Sequence, residues 1–211
     1  TIAAAVAILA LPGGAHAGEP PNPNDPCSTG GRNTCGTTGT GFYANYRYGL
    51  RWFGGFRGVV PNERHTYCID LRYWYPAPRH RFREDTSEEL RNRDGETVSL
   101  ENRRRLAYAI WEFGRTVNRN QAAAVMLYVH ALMGDARAGE VDPAALNERV
   151  EAIHARVARD AARYHGPYRL DLDMPRGLRV GEQGSATIRV LSASGSALPE
   201  LAVELDATGA S

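Results

Sequence analysis

Two side chains of this 211-residue chain have the chemistry to form a covalent acyl bond with each other: the thiol of Cys68 and the carboxamide of Gln121. A thiolate that attacks a side-chain amide expels ammonia and leaves an internal thioester, which is an activated acyl group. The chain has three cysteines and two glutamines, and the other glutamine, Gln183, lies in a C-terminal segment rich in turn residues. Cys68 and Gln121 are therefore the candidate pair.

The pattern around Cys68 predicts a β-strand. In residues 65–71, Cys68 and Asp70 alternate with apolar or aromatic residues that would share the opposite face: Tyr67, Ile69 and Leu71. The wider region 42–75 is dense in aromatic residues and glycine and is broken by turn residues at 54–55 and 61–62. This composition predicts a strand-rich region, with the thiol on the face of its strand opposite Tyr67.

Gln121 lies at the start of a predicted helix. Either Asn118 or Asn120 can cap a helix that runs to Met133 and ends at Gly134. The residues after Gln121 are three alanines, and such small side chains let another element approach closely. The sequence therefore predicts that the carboxamide lies at a helix start that packs tightly against a neighbour.

Two further helices are predicted. Ser99 can cap a helix that runs to Phe113 and ends at Gly114, and Asp142 with Pro143 can begin a third. The apolar residues of the third helix recur at the period of one helical face: Leu146, Val150, Ile153, Val157, Ala161 and Tyr164. Residues 76–98, rich in Arg and Glu, are predicted to form a long solvated connection.

A thioester persists only where water is kept away from it. Aromatic side chains could supply that shield, and the alternative interpretation is that they are ordinary core residues: Tyr67, Trp74, Tyr75 and Trp111. His130 could assist acyl transfer beside a thioester, whereas a buried structural histidine is the other interpretation.

The N-terminal residues have the pattern of a secretory signal. An apolar run at 2–11 is followed by a Pro-Gly-Gly break and by Ala15-His16-Ala17, which predicts a signal peptide over residues 1–17 with cleavage after Ala17. A buried Ala-rich helix is the alternative, although the break would end it abruptly. No other stretch is long and apolar enough to span a bilayer, so a membrane or wall anchor is expected beyond the C-terminus shown.

Export changes the interpretation of the cysteines. Cys27 and Cys35 lie eight residues apart in a flexible leader at 18–41, where an oxidising compartment would allow them to close a short disulfide loop. Cys68 is then the odd cysteine. It is a reactive thiol, a thiol that pairs with another chain, or a small buried residue.

Composition excludes several classes of function. The formal net charge is +1, which argues against a nucleic-acid binder or a polybasic membrane binder. All 25 basic residues are arginines, so lysine-dependent isopeptide, Schiff-base and P-loop chemistry is absent from this chain. No metal-ligand spacing is present, and no cofactor is expected.

After residue 166 the pattern changes to short β-prone segments at 168–174, 185–191 and 201–205, separated by turn residues. Three strands do not close a sandwich. The sequence therefore predicts an incomplete immunoglobulin-like β-domain over residues 167–211, after an α+β domain over residues 42–166.

The motif Tyr67-Cys68-Ile69-Asp70, followed by the helical Asn120-Gln121-Ala122-Ala123, resembles the thioester domains of Gram-positive bacterial cell-surface proteins, the TQXA group. In that family the cysteine lies in an aromatic–Cys–aliphatic strand and the glutamine heads a Thr-Gln-x-Ala-Ile-Trp motif. Here Asn120 replaces the threonine, and Ala124-Val125 replaces Ile-Trp. The resemblance covers residues 42–135.

This resemblance implies a strand-rich thioester-like domain with a helical subdomain, attached to the cell wall and acting as an adhesin. Cys68 would be the nucleophile and the leaving thiolate, and Gln121 the acyl donor. The partner would be an amine or hydroxyl on a protein or glycan of a host, matrix or neighbouring-cell surface. Because such a bond forms once and does not turn over, the protein would not be an enzyme.

Two other classes of function remain open. A secreted cysteine hydrolase acting on peptides or peptidoglycan would need Cys68 to be activated by a histidine such as His65 or His80, and usually places its cysteine at a helix N-terminus. A non-covalent binding or spacer module with a degenerate thioester site would instead tolerate mutation of Cys68 and Gln121.

Overall fold

The computed structural model of the chain describes residues 8–10, 38–46, 49–56, 65–69, 83–85, 89–92, 94–134, 141–175, 183–199 and 201. Within these residues the fold is a mixed α+β fold of helices and antiparallel strand pairs, which confirms the predicted class. The elements in chain order are β1 (Ile8–Ala10), β2 (Thr38–Tyr46), β3 (Gly49–Phe56), β4 (Arg83–Asp85), α1 (Leu100–Phe113), α2 (Arg119–Met133), α3 (Glu148–Tyr164), β5 (Arg169–Asp173) and β6 (Thr187–Leu191).

The predicted ends of the first two helices are confirmed. The Ser99 hydroxyl accepts the backbone N–H of Asn102 at 3.1 Å and caps α1. Asn118 caps α2 by accepting the N–H groups of Asn120 and Gln121 at 3.0 and 3.3 Å. Gly134 follows α2 in the left-handed conformation, with φ of +77°. These ends were predictable because capping depends on residues within one turn of each other.

The predicted start of the third helix is wrong. Asp142 and Pro143 form a separate turn, in which the Ala145 and Leu146 N–H groups donate to the carbonyls of Asp142 and Pro143. The helix begins at Glu148, and Asn147 caps it by accepting the Val150 N–H at 3.0 Å. The Asp142 N–H donates to the Tyr46 hydroxyl at 2.7 Å, so the turn is bonded to β2 instead of extending the helix.

Helix α2 lies at the centre of the described fold. It packs against both other helices and against β2 and β3, and every residue from 122 to 130 is buried. A helix that is apolar on all sides needs neighbours on all sides. The predicted close approach at the start of this helix is confirmed, since Ala123 and Ala124 are buried in one cluster with Phe53 of β3 and Val150 of α3.

The β2–β3 hairpin has a point of backbone contact at Gly41 and Gly54. A Cβ on Gly54 would lie 2.2 Å from the carbonyl oxygen of Thr40, and Gly54 has φ of +145°. The register shifts between Thr38 and Gly41, as in a β-bulge. Only glycine satisfies both the dihedral angle and the space at this position.

The connection before α1 is not wholly solvated, which corrects the prediction for residues 76–98. It contains β4, which pairs antiparallel with β1, and its Leu90 and Val98 are buried in the main apolar cluster. The Val98 N–H donates to the Leu90 carbonyl at 2.8 Å, so a small antiparallel turn brings both side chains onto the helices.

Strand β1 lies inside the predicted signal peptide, whose assignment stays a prediction. Several other predictions fall outside the described residues. They are the Cys27–Cys35 disulfide, residues 18–37 of the predicted leader, the shielding by Trp74 and Tyr75, and the role of His80. Residues 38–41 of the predicted flexible leader belong to β2, which corrects that boundary.

The C-terminal strands form as predicted in two of three cases. β5 and β6 pair antiparallel from Arg169↔Leu191 to Asp173↔Thr187. Of the predicted third strand only Leu201 is described, although the preceding Leu198 N–H already donates to the Val190 carbonyl at 2.8 Å. The turn after β6 is bonded to the end of α3, where the Ser192 and Ser194 hydroxyls donate to the Arg163 carbonyl.

Candidate functional site

The Cys68 segment is extended but is not a full strand. Thr66 forms a β-bridge with Phe56 through two backbone hydrogen bonds of 2.7 and 3.1 Å, and the chain bends at Ile69. The predicted strand is therefore wrong for 67–69: an antiparallel ladder would place these residues opposite 55–53 of β3, but the bridge at Thr66 does not continue in that direction. Asp70 and Leu71 lie outside the described residues.

The predicted alternation along this segment is confirmed. Tyr67 is buried among the helix side chains, and Ile69 packs against the same cluster. Cys68 lies on the other side, half-buried against an aromatic cluster of β3 formed by Trp52 and Phe56. Tyr43 adds its ring edge to this cluster, 5.2 Å from the Trp52 ring centre. The thiol therefore faces aromatic side chains.

Gln121 occupies the first turn of α2 and reaches back to α1. Its side-chain nitrogen Nε2 donates to the carbonyl oxygen of Phe113 at 3.0 Å. Phe113 is the last residue of α1, so this carbonyl is one of those that a helix leaves without an intrahelical partner. The hydrogen bond restrains the orientation of the carboxamide.

Tyr67 binds the neighbouring carbonyl. Its hydroxyl donates to the carbonyl oxygen of Gly114 at 2.7 Å. Phe113 and Gly114 are consecutive residues, whose Cα atoms are about 3.8 Å apart. The side chains of Tyr67 and Gln121, 54 positions apart in sequence, therefore bind consecutive carbonyls at one end of α1. This end of α1 joins the acyl-donor candidate to the residue that precedes the thiol.

A second set of contacts links the thiol's aromatic cluster to α2. The Trp52 ring packs so close to Gly41 that a Cβ on this glycine would lie 2.7 Å from it. The Gly41 carbonyl accepts the Nε–H of Arg119 at 2.6 Å, two residues before Gln121. The Arg119 guanidinium also lies over the Phe42 ring, 5.7 Å from its centre. Arg119 thus fastens the first turn of α2 to β2.

Sequence reasoning missed Arg119, Trp52 and Phe56 as parts of this site. The two aromatic residues were visible only as members of an aromatic-rich region. Their position against Cys68 depends on the pairing of Phe56 with Thr66, a contact across a loop. No local pattern marks Arg119, since its acceptor is a backbone carbonyl 78 positions away.

Two of the proposed shield or helper residues lie elsewhere. The Trp111 side chain is 50% exposed and its ring lies 6.0 Å from that of Tyr108. His130 is fully buried in α2, nine residues after Gln121, a distance of about 13 Å along a helix axis. Trp111 belongs to the last turn of α1 but is exposed there, whereas the Tyr67 hydroxyl is bonded to Gly114 at the end of that helix.

Burial governs the titration of the site's phenol. Desolvation raises the pKa of Tyr67 well above its usual value of 10.0, because the phenolate would be formed inside the apolar cluster. The hydroxyl is therefore protonated at neutral pH and donates its proton to the Gly114 carbonyl.

The hydrolase alternative and metal binding find little geometric support. Cys68 follows an isolated bridge and is not at a helix N-terminus, the position that usually lowers the pKa of a nucleophilic thiol. Among the described residues there is no group of three or more His, Cys, Asp or Glu side chains that could hold a metal ion. None of the described helices is long and apolar enough to cross a membrane.

Comparison of the chain with protein-family models, with curated proteins and with solved structures found no match.

Proposed function

We propose that this chain is an exported surface module that forms an internal thioester between Cys68 and Gln121 and uses it to attach covalently to a partner surface. The observation that carries the proposal is the meeting of Tyr67 and Gln121 on the consecutive carbonyls of Phe113 and Gly114. This contact holds the residue before Cys68 and the glutamine side chain at the same end of α1. Because the thiol leaves its segment on the face opposite Tyr67, the proposal requires the thiol to turn from the aromatic cluster towards Gln121 when the bond forms. It agrees with the resemblance to TQXA thioester domains.

The proposed bond formation releases one ammonia. The Cys68 sulfur attacks the side-chain carbonyl carbon of Gln121, the thiol proton goes to the departing nitrogen, and the S–C bond replaces the C–N bond. A partner amine then attacks the same carbon. The new C–N bond replaces the S–C bond, and the proton lost by the amine restores the Cys68 thiol. A partner hydroxyl would give an ester in the same way.

The surroundings suit an acyl intermediate of this kind. The apolar contacts of Cys68 with Trp52 and Phe56 reduce the access of water to the sulfur. Gln121 lies in the first turn of α2, at the positive end of the helix dipole. Negative charge that develops on the side-chain oxygen during attack is favoured there.

The partner would be a protein or glycan on a host, matrix or neighbouring-cell surface. The chain contains no lysine, so none of its own side chains offers an amine to consume the thioester. Because each molecule reacts once, the activity is covalent capture and not turnover.

The intact mass of the purified chain tests this proposal. Wild-type protein should be lighter by one ammonia, after allowance for a Cys27–Cys35 disulfide, and methylamine should raise its mass by one methylamine. Cys68→Ala and Gln121→Ala should both abolish the ammonia loss and the methylamine adduct. Gln183→Ala is the matched control, because Gln183 is exposed and should leave both results unchanged.

A full-mass wild-type protein with an alkylatable Cys68 thiol would contradict the covalent function. Cleavage of peptides by such a protein, lost in Cys68→Ala, would then favour the hydrolase. Binding that survives both site substitutions would favour a non-covalent module.

We also propose that β5 and β6 begin the immunoglobulin-like sandwich. Opposite residues of an antiparallel pair share a face, and one face of this hairpin is apolar: Leu170, Leu172, Ile188 and Val190. The other face carries an ion pair of Arg189 with Asp171 at 2.9 Å. Such two-faced strands are typical of a sandwich, whose inner face is covered by a second sheet. In a chain that carries the following strands, Leu172→Asp should lower the free energy of unfolding, whereas Thr187→Asp on the polar face should not.

A further inference from the structure

The short segment at 66–69 is held at three points, two on β3 and one at the end of α1. Thr66 is bonded to Phe56 of β3 through its backbone and through its hydroxyl, which donates to the Phe56 carbonyl at 3.2 Å. Cys68 packs on the aromatic cluster, and the Tyr67 hydroxyl donates to Gly114. The thiol and the phenol therefore leave one rigid segment in opposite directions.

The Tyr67 ring has a defined path to the end of α1. It passes over the backbone of Gly55, where an added Cβ would lie 3.7 Å from the ring carbon Cζ that bears the hydroxyl. The ring is 8% exposed, and its hydroxyl reaches Gly114 inside the apolar cluster. A hydrogen bond in such surroundings is strong, because water cannot replace it when it breaks.

Gly114 is the first residue of the loop that leads to Gln121. Its carbonyl also accepts the Thr116 N–H at 3.1 Å, and the Thr116 hydroxyl accepts the Asn118 N–H at 3.0 Å. Asn118 in turn caps the turn that contains Gln121. The Tyr67 hydroxyl thus holds the first carbonyl of a continuous chain of hydrogen bonds that ends at the backbone of Gln121.

We propose that Tyr67 is a positioning residue for Gln121. By holding the Gly114 carbonyl, its hydroxyl fixes the end of α1 and the following loop, so that the Phe113 carbonyl keeps the Gln121 carboxamide in one orientation. The inference rests on the proposed thioester for its functional meaning. Its geometric content concerns the Gln121 amide alone and can be measured without the thioester.

Tyr67→Phe removes the hydroxyl and keeps the ring. Tyr128→Phe is the matched control, because Tyr128 is a buried tyrosine of the same apolar cluster, on α2. Comparison of the two variants separates the loss of the Gly114 hydrogen bond from the general cost of removing a buried phenol oxygen.

The first measurement is the hydrogen-exchange rate of the glutamine side-chain amides. It uses the full chain, labelled with ¹⁵N in these amides and carrying Cys68→Ala. The chain contains two glutamines, so the exposed Gln183 supplies an internal reference for unprotected exchange. We expect Gln121 to be protected, and Tyr67→Phe to speed its exchange about fivefold, the effect of losing one hydrogen bond. An unchanged rate in Tyr67→Phe, or an equal increase in Tyr128→Phe, would overturn the proposal.

The second measurement is the rate of ammonia loss during folding of chain that retains Cys68. The chain is first treated with ammonia, which opens any thioester and restores the Gln121 amide and the Cys68 thiol, and is then unfolded and transferred to ammonia-free folding buffer. Tyr67→Phe should slow this loss about fivefold, and Tyr128→Phe should not. If wild-type protein never loses ammonia, the proposed function fails, and the exchange rates alone decide the role of Tyr67. If wild-type and Tyr67→Phe lose ammonia at the same rate with unchanged Gln121 exchange, the positioning role fails and the proposed function stands.

Discussion

Helix α2 and the β5–β6 hairpin are both rich in apolar residues, but their environments differ. In α2 every residue from 122 to 130 is buried, whereas Leu170 and Leu172 of the hairpin are 62% and 54% exposed. The strands β2 and β3 and two helices surround α2. On the apolar face of the hairpin Val190 is buried, but among the described residues no such layer covers Leu170 and Leu172. An apolar pattern therefore shows which face of a helix or strand can be buried. Whether that face is buried depends on the elements that pack against it.

The largest expected effect comes from removing a leucine of α2. Leu127 is fully buried, so Leu127→Ala should lower the free energy of unfolding by about 3 kcal/mol, through lost burial and a residual cavity. Leu172→Ala is the matched control in the hairpin and should change the free energy of unfolding by less than about 0.5 kcal/mol. Denaturant unfolding measures both, and similar losses would mean that the hairpin face is covered in solution.

Two glycines with positive φ sharpen the same contrast. Gly54→Ala should cost about 3 kcal/mol or more, because the new Cβ would strike the Thr40 carbonyl as well as strain the backbone. Gly195, in the turn after β6, has φ of +79° and open space around it. Gly195→Ala should cost only the backbone strain, about 1 kcal/mol. Thermal unfolding of the two variants tests this, and equal losses would show that contact at Gly54 relaxes freely.

A smaller effect is expected where the hairpin joins the helices. The Ser192 side chain donates to the Arg163 carbonyl at 2.8 Å, and the residue is 2% exposed. Ser192→Ala should lower the free energy of opening this contact between the hairpin and α3 by about 1 kcal/mol. Exchange of the Ala193 amide, which donates to His165, should then speed up about fivefold.

Ser194→Ala is the control for this joint. Ser194 makes the same bond to Arg163 at 2.7 Å but is exposed, so water can replace its hydroxyl. Faster exchange in Ser194→Ala than in Ser192→Ala would contradict the importance of burial here. In either variant, amides in the middle of α2 should keep their protection.

The smallest expected effect is a pH dependence of the free energy of unfolding, which arises where α3 packs on α2. Burial lowers the pKa of His154 below its usual value of 6.5, and its ring meets the Tyr128 ring edge-on at 5.8 Å. The folded state therefore binds a proton less readily than the unfolded state. The resulting stability is fully present above pH 6.5 and decreases as the pH falls below it.

Unfolding by denaturant at several pH values between 5 and 8 checks this prediction. His154→Gln should reduce the decrease in the free energy of unfolding below pH 6.5, because it removes the titrating group and keeps a polar side chain. An unchanged slope in His154→Gln would assign the acid sensitivity to another group.

Local features of the fold were predictable from the sequence. The caps at Ser99 and Asn118 and the apolar face of α3 depend on residues within one or two turns of each other. The alternation at 67–69 follows from extended backbone alone, which is why Tyr67 and Cys68 face opposite sides even without a strand ladder. The prediction for the start of α3 failed because two good capping residues, Asp142 and Asn147, lie five positions apart. The hydrogen bond of Asp142 to Tyr46 decides between them.

The candidate site was predictable only as a pair of reactive residue types. Cys68 and Gln121 stand out because the chain has few cysteines and glutamines. The shielding residues could not be ranked in the same way. Trp111 and Tyr67 are both aromatic residues with apolar neighbours in the sequence. In the structure Trp111 is half exposed on α1, whereas the Tyr67 hydroxyl binds the Gly114 carbonyl.

The amino-acid sequence by itself determined the α+β class, the ends of α1 and α2 and the two faces of the Cys68 segment. Each of these depends on short-range sterics, capping or hydrophobic period. Only the tertiary structure decided that Thr66 pairs with Phe56, that Arg119 binds Gly41, and that Tyr67 and Gln121 meet at the end of α1. These contacts join residues far apart in the chain, and they form because burying α2 on all sides brings the hairpin, the Cys68 segment and α1 together around it.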